Sequence, residues 1–117
     1  MFRFETLDIW HESVVFSVKI FDYTETLPPE YKFSIGSQLN RSGLSPSNNI
    51  AEGSGSESAK DFKNFLNIAI RSIFETVSGL TVAYKKGLIK EQLYRELYNE
   101  GELLAKRIRS FRSTLNS

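Results

Sequence analysis

Two long stretches of the sequence repeat apolar side chains at the three- and four-residue spacing of one side of an α-helix. Only a short segment around Gly87 separates them. Each stripe must be buried, so we expect two helices that share one core. The stripes consist of Phe62, Phe65, Leu66, Ala69, Ile73, Val77, Leu80 and Tyr84, then of Leu93, Leu97, Leu104, Ile108, Phe111 and Leu115.

Proline and glycine residues delimit two further helices before these. The first is expected from about Leu7 until just before Pro28, because proline lacks a backbone N–H and disfavours helical geometry in the residue before it. The second is expected over about 33–52, with Gly53 as its left-handed C-terminal residue. Pro46 lies inside this helix and offers no N–H to the carbonyl of Ser42, so it predicts a kink.

The third helix is expected to begin at Ser58, which with Asp61 three residues later resembles a capping box. It should reach Lys86 and end at Gly87, and the fourth helix should cover about 90–115. Short connections between long helices favour antiparallel neighbours. The sequence therefore predicts an all-α, up-down-up-down four-helix bundle, with residues 1–117 as a single domain.

The composition is that of an ordinary folded protein, with 40% hydrophobic and 25% charged residues. No cysteine is present, which excludes disulfides, thiolate metal sites and thiol nucleophiles. No run approaches the roughly 18 uninterrupted apolar residues of a membrane span, and the first ten residues do not resemble a signal peptide. A cytoplasmic protein with no membrane partner is the expectation.

The first helix carries two apolar stripes, whose centres lie about 150° apart when each residue advances by about 100°. A helix patterned in this way must be buried from two sides, so we expect self-association. Alternatively, Phe2 and Phe4 cover the second stripe, or its residues are scattered surface apolar residues. One stripe consists of Leu7, Trp10, Val14, Val18 and Phe21, and the second, the predicted oligomer interface, contains Ile9, Phe16, Ile20 and Tyr23.

No combination of residues indicates catalysis. His11 is the only histidine, and Val15 occupies the position of the second histidine in an H-E-x-x-H motif. With Asp8 and Glu12 it is better explained as a solvated charged face than as a metal site. The turn over residues 53–56 lacks the features of a phosphate-binding loop and is best explained as a helix connection. We therefore expect no enzyme, metal or cofactor.

Charge is unevenly distributed along the sequence. Residues 1–30 contain two basic and six acidic side chains, whereas residues 59–117 contain eleven basic and six acidic ones. Such asymmetry permits an anionic partner, although cations near a helix C-terminus also complement the helix dipole. The candidate nucleic-acid contacts are Lys85 and Lys86 at the end of the third helix and Lys106, Arg107, Arg109 and Arg112 on the fourth.

Polar residues recur at intervals of three or four along one side of the second helix. We expect them to form a structural network with Glu75 and with the carbonyl freed by Pro46, in preference to a ligand site. The line comprises Gln38, Arg41, Ser45, Asn49 and Glu52.

This segment resembles the signature of a bacterial four-helix-bundle family, Q-x-x-R-x-x-x-S-x-P-x-N-I-A-E-G. The family includes proteins encoded in intervening sequences of 23S ribosomal RNA genes and the accessory variability determinant protein of diversity-generating retroelements. Residues 38–53 match it except that the proline arrives one residue early, as Pro46. Phe4, Leu7 and Trp10 resemble the opening of the family, and several third-helix residues also agree.

The resemblance implies a ring-shaped homopentamer and, for retroelement members, binding of nucleic acid and of a reverse transcriptase. The leading hypothesis is a non-enzymatic nucleic-acid-binding or ribonucleoprotein accessory protein that contacts RNA or DNA through repeated basic ends. The alternative is a protein–protein scaffold with no nucleic-acid binding. Because the whole chain is close to neutral, with a net charge of +1, few clustered cations predict weak binding.

Overall fold

The computed structural model describes residues 1–116 and contains four long helices. They are α1 (Asp8–Thr24), α2 (Ser37–Ser54), α3 (Ala59–Lys85) and α4 (Glu91–Ser113). A 3₁₀ turn over Arg3–Thr6 precedes α1, and no strand occurs within the described part of the chain. The prediction of an all-α fold is confirmed.

Each helix packs against its neighbours in the chain, and α4 closes the bundle against α1. The contacts fix the helix directions. Thr24 near the end of α1 donates to Asn40 near the start of α2, and Arg112 near the end of α4 donates to Asn67 near the start of α3. The result is an up-down-up-down bundle measuring 44 × 22 × 20 Å.

The second helix is longer than the sequence predicts at both ends. Pro29 opens a helical turn (Pro29–Tyr31), and a π-helical turn (Lys32–Gly36) joins that turn to α2. Proline is well suited to a first helical turn, where its missing N–H would have no partner. The early start therefore follows from Pro29, the second of two adjacent prolines.

Gly53 does not end α2, contrary to the sequence prediction. It is buried inside the helix, which continues to Ser54, and Gly55 follows with an ordinary φ of −88°. A Cβ atom at position 53 would lie 2.7 Å from a ring carbon of Phe62 and 2.8 Å from Cβ of Phe65. Glycine is therefore required here for the close approach of α2 and α3.

The two ends of α3 agree with their sequence signals. Ser58 Oγ accepts a hydrogen bond from the backbone N–H of Asp61 at 3.1 Å. After α3, Gly87 adopts a φ of +77°, and the N–H of Leu88 reaches back to the carbonyl of Ala83 at 2.8 Å. A left-handed glycine with this backbone bond is a common way to end a helix.

The predicted oligomer interface on α1 is wrong. Ile9, Phe16, Ile20 and Tyr23 are all buried in the core of a single chain, so they offer no surface to a second copy. Small buried residues on the same side of α1, Ser13 and Ser17, made this stripe appear less continuous in the sequence.

The opposite stripe of α1 is the one that reaches the surface. Val18 is 52% exposed and Phe21 is 36% exposed, whereas Trp10 is partly buried and its ring centre lies 4.7 Å from that of Phe4. On α2, Leu44 is also exposed, and Val14 on α1 is partly buried. We call Val14, Val18, Phe21 and Leu44 the apolar patch.

One 18-residue window of α3 has a mean hydropathy of 1.2, which passes a test for membrane-spanning helices based on length and composition. Helices at the centre of a soluble core pass the same test. Within the bundle, 39% of that window is buried. The buried residues of α3 include Leu66, Ile73 and Leu80, which pack in the core of the bundle.

Candidate nucleic-acid interface

Part of the predicted polar network joins α2 to α3. Asn49 Nδ2 donates to the carbonyl oxygen and to Oγ of Ser45, both at 2.9 Å, and Ser72 Oγ donates to Ser45 Oγ at 2.6 Å. One turn away, Thr76 Oγ1 donates to Ser42 Oγ at 2.8 Å inside the bundle. Short side chains thus fix the register of the two helices.

The longer side chains of the predicted network do not take part in it. Gln38, Arg41, Glu52 and Glu75 are exposed, and none makes a side-chain hydrogen bond or ion pair within residues 1–116. The polar line follows the outer rim of the contact between α2 and α3, where long side chains extend into solvent. These four residues were assigned wrongly, and their positions leave them accessible to another molecule.

The predicted basic residues separate into two groups at opposite ends of the bundle. Lys85 and Lys86 are exposed where α3 ends. Lys106 to Arg112 lie on the last turns of the antiparallel α4, where Arg109 packs on Phe74 and Arg112 contacts Asn67. These contacts lie 11 and 18 residues before Lys85, so at about 1.5 Å rise per residue the two groups are roughly 17–27 Å apart along the bundle. One chain therefore cannot present all six cations to the same stretch of a ligand.

Two of these cations are engaged within the chain. Arg107 forms an ion pair with Glu12 of α1, and Arg112 donates to the side-chain oxygen of Asn67 on α3. Both contacts hold α4 against its neighbours. Lys106 and Arg109, by contrast, are exposed and form no ion pair in the described part of the chain.

Lys106 and Arg109 border a groove of about 320 Å³ between α3 and α4. The groove follows from the small residues of α4. At Gly101 the helices come so close that an added Cβ would lie 2.8 Å from Cγ2 of Val77. The groove is lined by Ile73, Phe74, Val77, Tyr98, Gly101, Glu102, Ala105, Lys106 and Arg109.

Two aromatic side chains of this groove were not singled out from the sequence. Phe74 is 56% exposed and Tyr98 is 41% exposed, and the guanidinium carbon of Arg109 lies 5.3 Å from the centre of the Phe74 ring. Phe74 lies on the otherwise polar side of α3, and Tyr98 lies on that of α4. In the sequence, the only sign of a special role is that Phe74 and Tyr98 lie outside the apolar stripes. That they line the same groove depends on the register between α3 and α4.

Lys63 is a further cation on this side of the bundle. It lies one turn before Asn67, which accepts the hydrogen bond from Arg112. Phe74 lies two turns after Asn67 on the same side of α3. The cation-bearing side of α3 and α4 therefore extends beyond the residues predicted from the sequence.

A row of tyrosines continues the seam between α3 and α4 towards its other end. The rings of Tyr84 and Tyr94 are stacked with centres 4.5 Å apart, and Tyr94 meets Tyr98 edge-on at 6.0 Å. Tyr84 donates to Oε1 of Glu91 at 2.6 Å, and this hydrogen bond raises the pKa of Tyr84. Of these tyrosines, Tyr98 also lines the groove.

His11 forms a local contact with the N-terminal segment. Its Nε2 lies 2.7 Å from the carbonyl oxygen of Glu5, and its ring packs edge-on against Trp10. Within residues 1–116, no group of three or more histidine and acidic side chains is arranged to hold a metal ion. The geometry gives His11 a role in holding the chain before α1.

Comparisons with known proteins agree with this fold. The model of the family described as "23S rRNA-intervening sequence protein" matches residues 5–110. A crystal structure of a protein of unknown function from the S23 ribosomal protein family of Bacteroides thetaiotaomicron VPI-5482 is similar, with 30% sequence identity and a TM-score of 0.84. The alignment covers 90% of this chain and 95% of that one.

No curated protein matches the chain. The family match extends over most of the sequence and includes α1, α2, α3 and most of α4. The chain belongs to the 23S rRNA-intervening sequence protein family.

Proposed function

We propose that the protein is a non-enzymatic, nucleic-acid-binding accessory protein that acts as a ring-shaped homo-oligomer in the cytoplasm. The observation that carries the proposal is the pair of exposed cations, Lys106 and Arg109, which form no ion pair within the described residues. Membership of a family named after a ribosomal RNA intervening sequence supports RNA as the partner.

Phosphate contact is the chemistry that such cations provide. Each neutralised phosphate releases condensed counterions, so binding weakens as salt concentration rises. One chain offers few free cations, and its affinity alone would be low. A ring of copies repeats each cation around its axis. Several subunits can then contact one RNA at the same time, and their weak individual contacts combine into a higher overall affinity.

Fluorescence anisotropy with labelled RNA and DNA, single-stranded and duplex, tests this proposal at about 50 mM and about 200 mM salt. We expect binding to the wild-type protein at low salt and a clear loss at higher salt. The double variant Lys106→Gln/Arg109→Gln should weaken binding and reduce its salt dependence. The double variant Lys85→Gln/Lys86→Gln should do the same, because the proposal has both basic groups of the bundle contact phosphates.

A matched control removes two other exposed cations, as Lys32→Gln/Arg95→Gln. It changes the net charge by the same amount and should leave binding close to that of the wild-type protein. Binding that does not respond to salt would contradict the proposal. An equal loss in the control would assign the effect to overall charge.

A protein–protein scaffold is the second candidate function. The apolar patch on α1 and α2 favours it, because exposed apolar side chains close together often mark protein interaction sites. A homopentamer, a relationship to the accessory variability determinant protein and a reverse transcriptase partner stay predictions of the sequence resemblance. A complete lack of nucleic-acid binding at low salt, with retained self-association, would favour the scaffold.

A further inference from the structure

The groove between α3 and α4 combines three kinds of surface within one recess. Its floor is apolar and is formed by Ile73, Val77 and Ala105 with the backbone of Gly101. Its volume of about 320 Å³ lies at the lower end of the range of small-ligand sites. The groove is open to solvent along the outside of the bundle.

The groove is bordered by aromatic and charged side chains. Phe74 on α3 and Tyr98 on α4 present large exposed ring surfaces. Lys106 and Arg109 add two cations on the α4 side, and the guanidinium group of Arg109 lies over the Phe74 ring. Aromatic rings beside cations form the type of surface on which proteins stack unpaired bases and bind the adjoining phosphates.

We propose that this groove binds unpaired bases of a single-stranded RNA segment, with Phe74 and Tyr98 stacking on the bases and Lys106 and Arg109 contacting phosphates. The proposal rests on the nucleic-acid-binding function above and specifies its substrate class. Glu102 shares the rim and repels phosphate. The middle of the groove therefore suits a neutral base, and the phosphates lie towards Lys106 and Arg109.

Size and charge favour this occupant over a helix from a second copy. A helix from a second copy would bury Lys106 and Arg109 against its own surface, although neither forms an ion pair within the described residues, and burying an unpaired cation is costly. A nucleic-acid base is a flat ring, and successive stacked bases are about 3.4 Å apart. A duplex does not fit either, because its bases are paired and stacked on one another and do not expose a face.

Single-residue variants separate base stacking from phosphate contact. Phe74→Leu and Tyr98→Leu keep an apolar side chain but remove the ring. We expect each to weaken binding of a single-stranded RNA about tenfold, with little change in its salt dependence. Binding of a duplex with the same sequence should not change. Phe33→Leu is the matched control, because Phe33 is 87% exposed and lies outside the groove.

Crosslinking provides a second measurement that does not depend on an affinity change. Single-stranded RNA containing 4-thiouridine is irradiated with the wild-type protein, and the attached peptides are identified by mass spectrometry. We expect adducts on the α3 and α4 peptides that contain Phe74 and Tyr98. Thermal unfolding followed by circular dichroism verifies that each variant is folded.

The outcomes distinguish this proposal from the broader one. If the wild-type protein binds no nucleic acid at low salt, both proposals fail. If salt-dependent binding occurs but Phe74→Leu and Tyr98→Leu leave single-strand affinity unchanged, or weaken duplex binding equally, only the groove proposal fails. If the two variants change sedimentation of the protein alone and not RNA affinity, a second copy occupies the groove and the proposal is overturned.

Discussion

At the scale of single residues, the contact between α2 and α3 depends on a glycine. Gly53→Ala should destabilise the chain by about 1–3 kcal/mol, because the new methyl group would overlap the ring of Phe62 and the Cβ atom of Phe65, so that one of them must shift. The higher helix propensity of alanine offsets at most about 1 kcal/mol. Unfolding by urea, followed by circular dichroism, measures the difference.

Gly55→Ala is the control for this substitution. Its Cβ would lie 3.5 Å from the nearest atom, the carbonyl oxygen of Glu52, and its backbone is already helical. We expect little or no loss of stability there. Equal destabilisation at the two positions would show that backbone flexibility, and not the phenylalanine contact, decides the effect.

Residues whose role depends on their immediate neighbours in the chain can be identified from the sequence. Ser58 caps α3 and Gly87 ends it, since both act on backbone groups within a few residues. The sequence predicts a helix end at Gly53, because glycine serves both as a helix end and as a point of close helix contact. Its real constraint is a phenylalanine pair from the next helix, which only the tertiary structure brings close.

At the scale of helices, the exposed residues of the signature on α2 contribute little to folding of an isolated chain. Alanine substitutions of Gln38 and Glu52 should each change the free energy of unfolding by less than about 0.5 kcal/mol. Asn49→Ala should cost about 1 kcal/mol, because it removes hydrogen bonds to Ser45. Urea unfolding at dilute protein concentration tests the difference.

A large loss of stability at Gln38 or Glu52 would contradict their exposed positions. If both variants fold normally but sediment as smaller species, the signature residues act between copies. Their accessibility already favours that interpretation. The sequence pattern located this polar line correctly but could not distinguish its inner members from those on the rim.

Lys19 joins α1 to α4 through Glu96 and Glu100. The hydrogen bond to Glu100, 3.0 Å long, raises the pKa of Lys19 above its ordinary value. A raised lysine pKa means that its contribution to stability is fully present below the unfolded-state pKa and is lost as pH rises through the folded-state value. Lys19→Met should therefore cost stability at neutral pH and little in strong alkali.

The expected effect is less than about 1 kcal/mol, since the side chain of Lys19 is 39% exposed and such pairs are screened by solvent. Urea unfolding of both proteins at neutral pH and above pH 11 measures it. The control Lys90→Met removes a lysine that forms no ion pair within residues 1–116. A difference that grows with pH would rule out this account of Lys19.

The two stripes of α1 show where helical periodicity stops being informative. Spacing alone identified both stripes and their separation, but it does not specify which one faces the core. That choice depends on the neighbours: Phe16 and Ile20 are fully buried, and Gly43 of α2 has no side chain where it meets Ile20. The predicted interface was therefore on the wrong side of the helix.

At the scale of the whole molecule, two different surfaces lie on different sides of the bundle. The apolar patch belongs to α1 and α2, and the groove with its cations belongs to α3 and α4. Periodicity and short connections predicted the bundle, because each depends on sequence spacing. The groove could not be predicted, because its residues are up to 36 positions apart and meet only through the antiparallel register of α3 and α4.

Because the two surfaces are separate, self-association can be disturbed without changing any residue of the groove. Val18→Glu places a charge in the apolar patch, where contact with a second copy would bury it without a partner. We expect the wild-type protein to sediment as an oligomer at micromolar concentration, and the variant to sediment mainly as a monomer or to require a much higher concentration to associate. Analytical ultracentrifugation over a concentration series measures both.

Val82→Glu is a close control, because Val82 is 58% exposed on α3 and lies outside the apolar patch. It introduces the same charge at a helical valine of similar exposure and should leave the oligomer intact. An oligomer that tolerates Val18→Glu but not Val82→Glu would place the interface on α3. Because a ring is proposed to repeat each basic end, loss of association in Val18→Glu should also weaken RNA binding, even though the cations of the groove are unchanged.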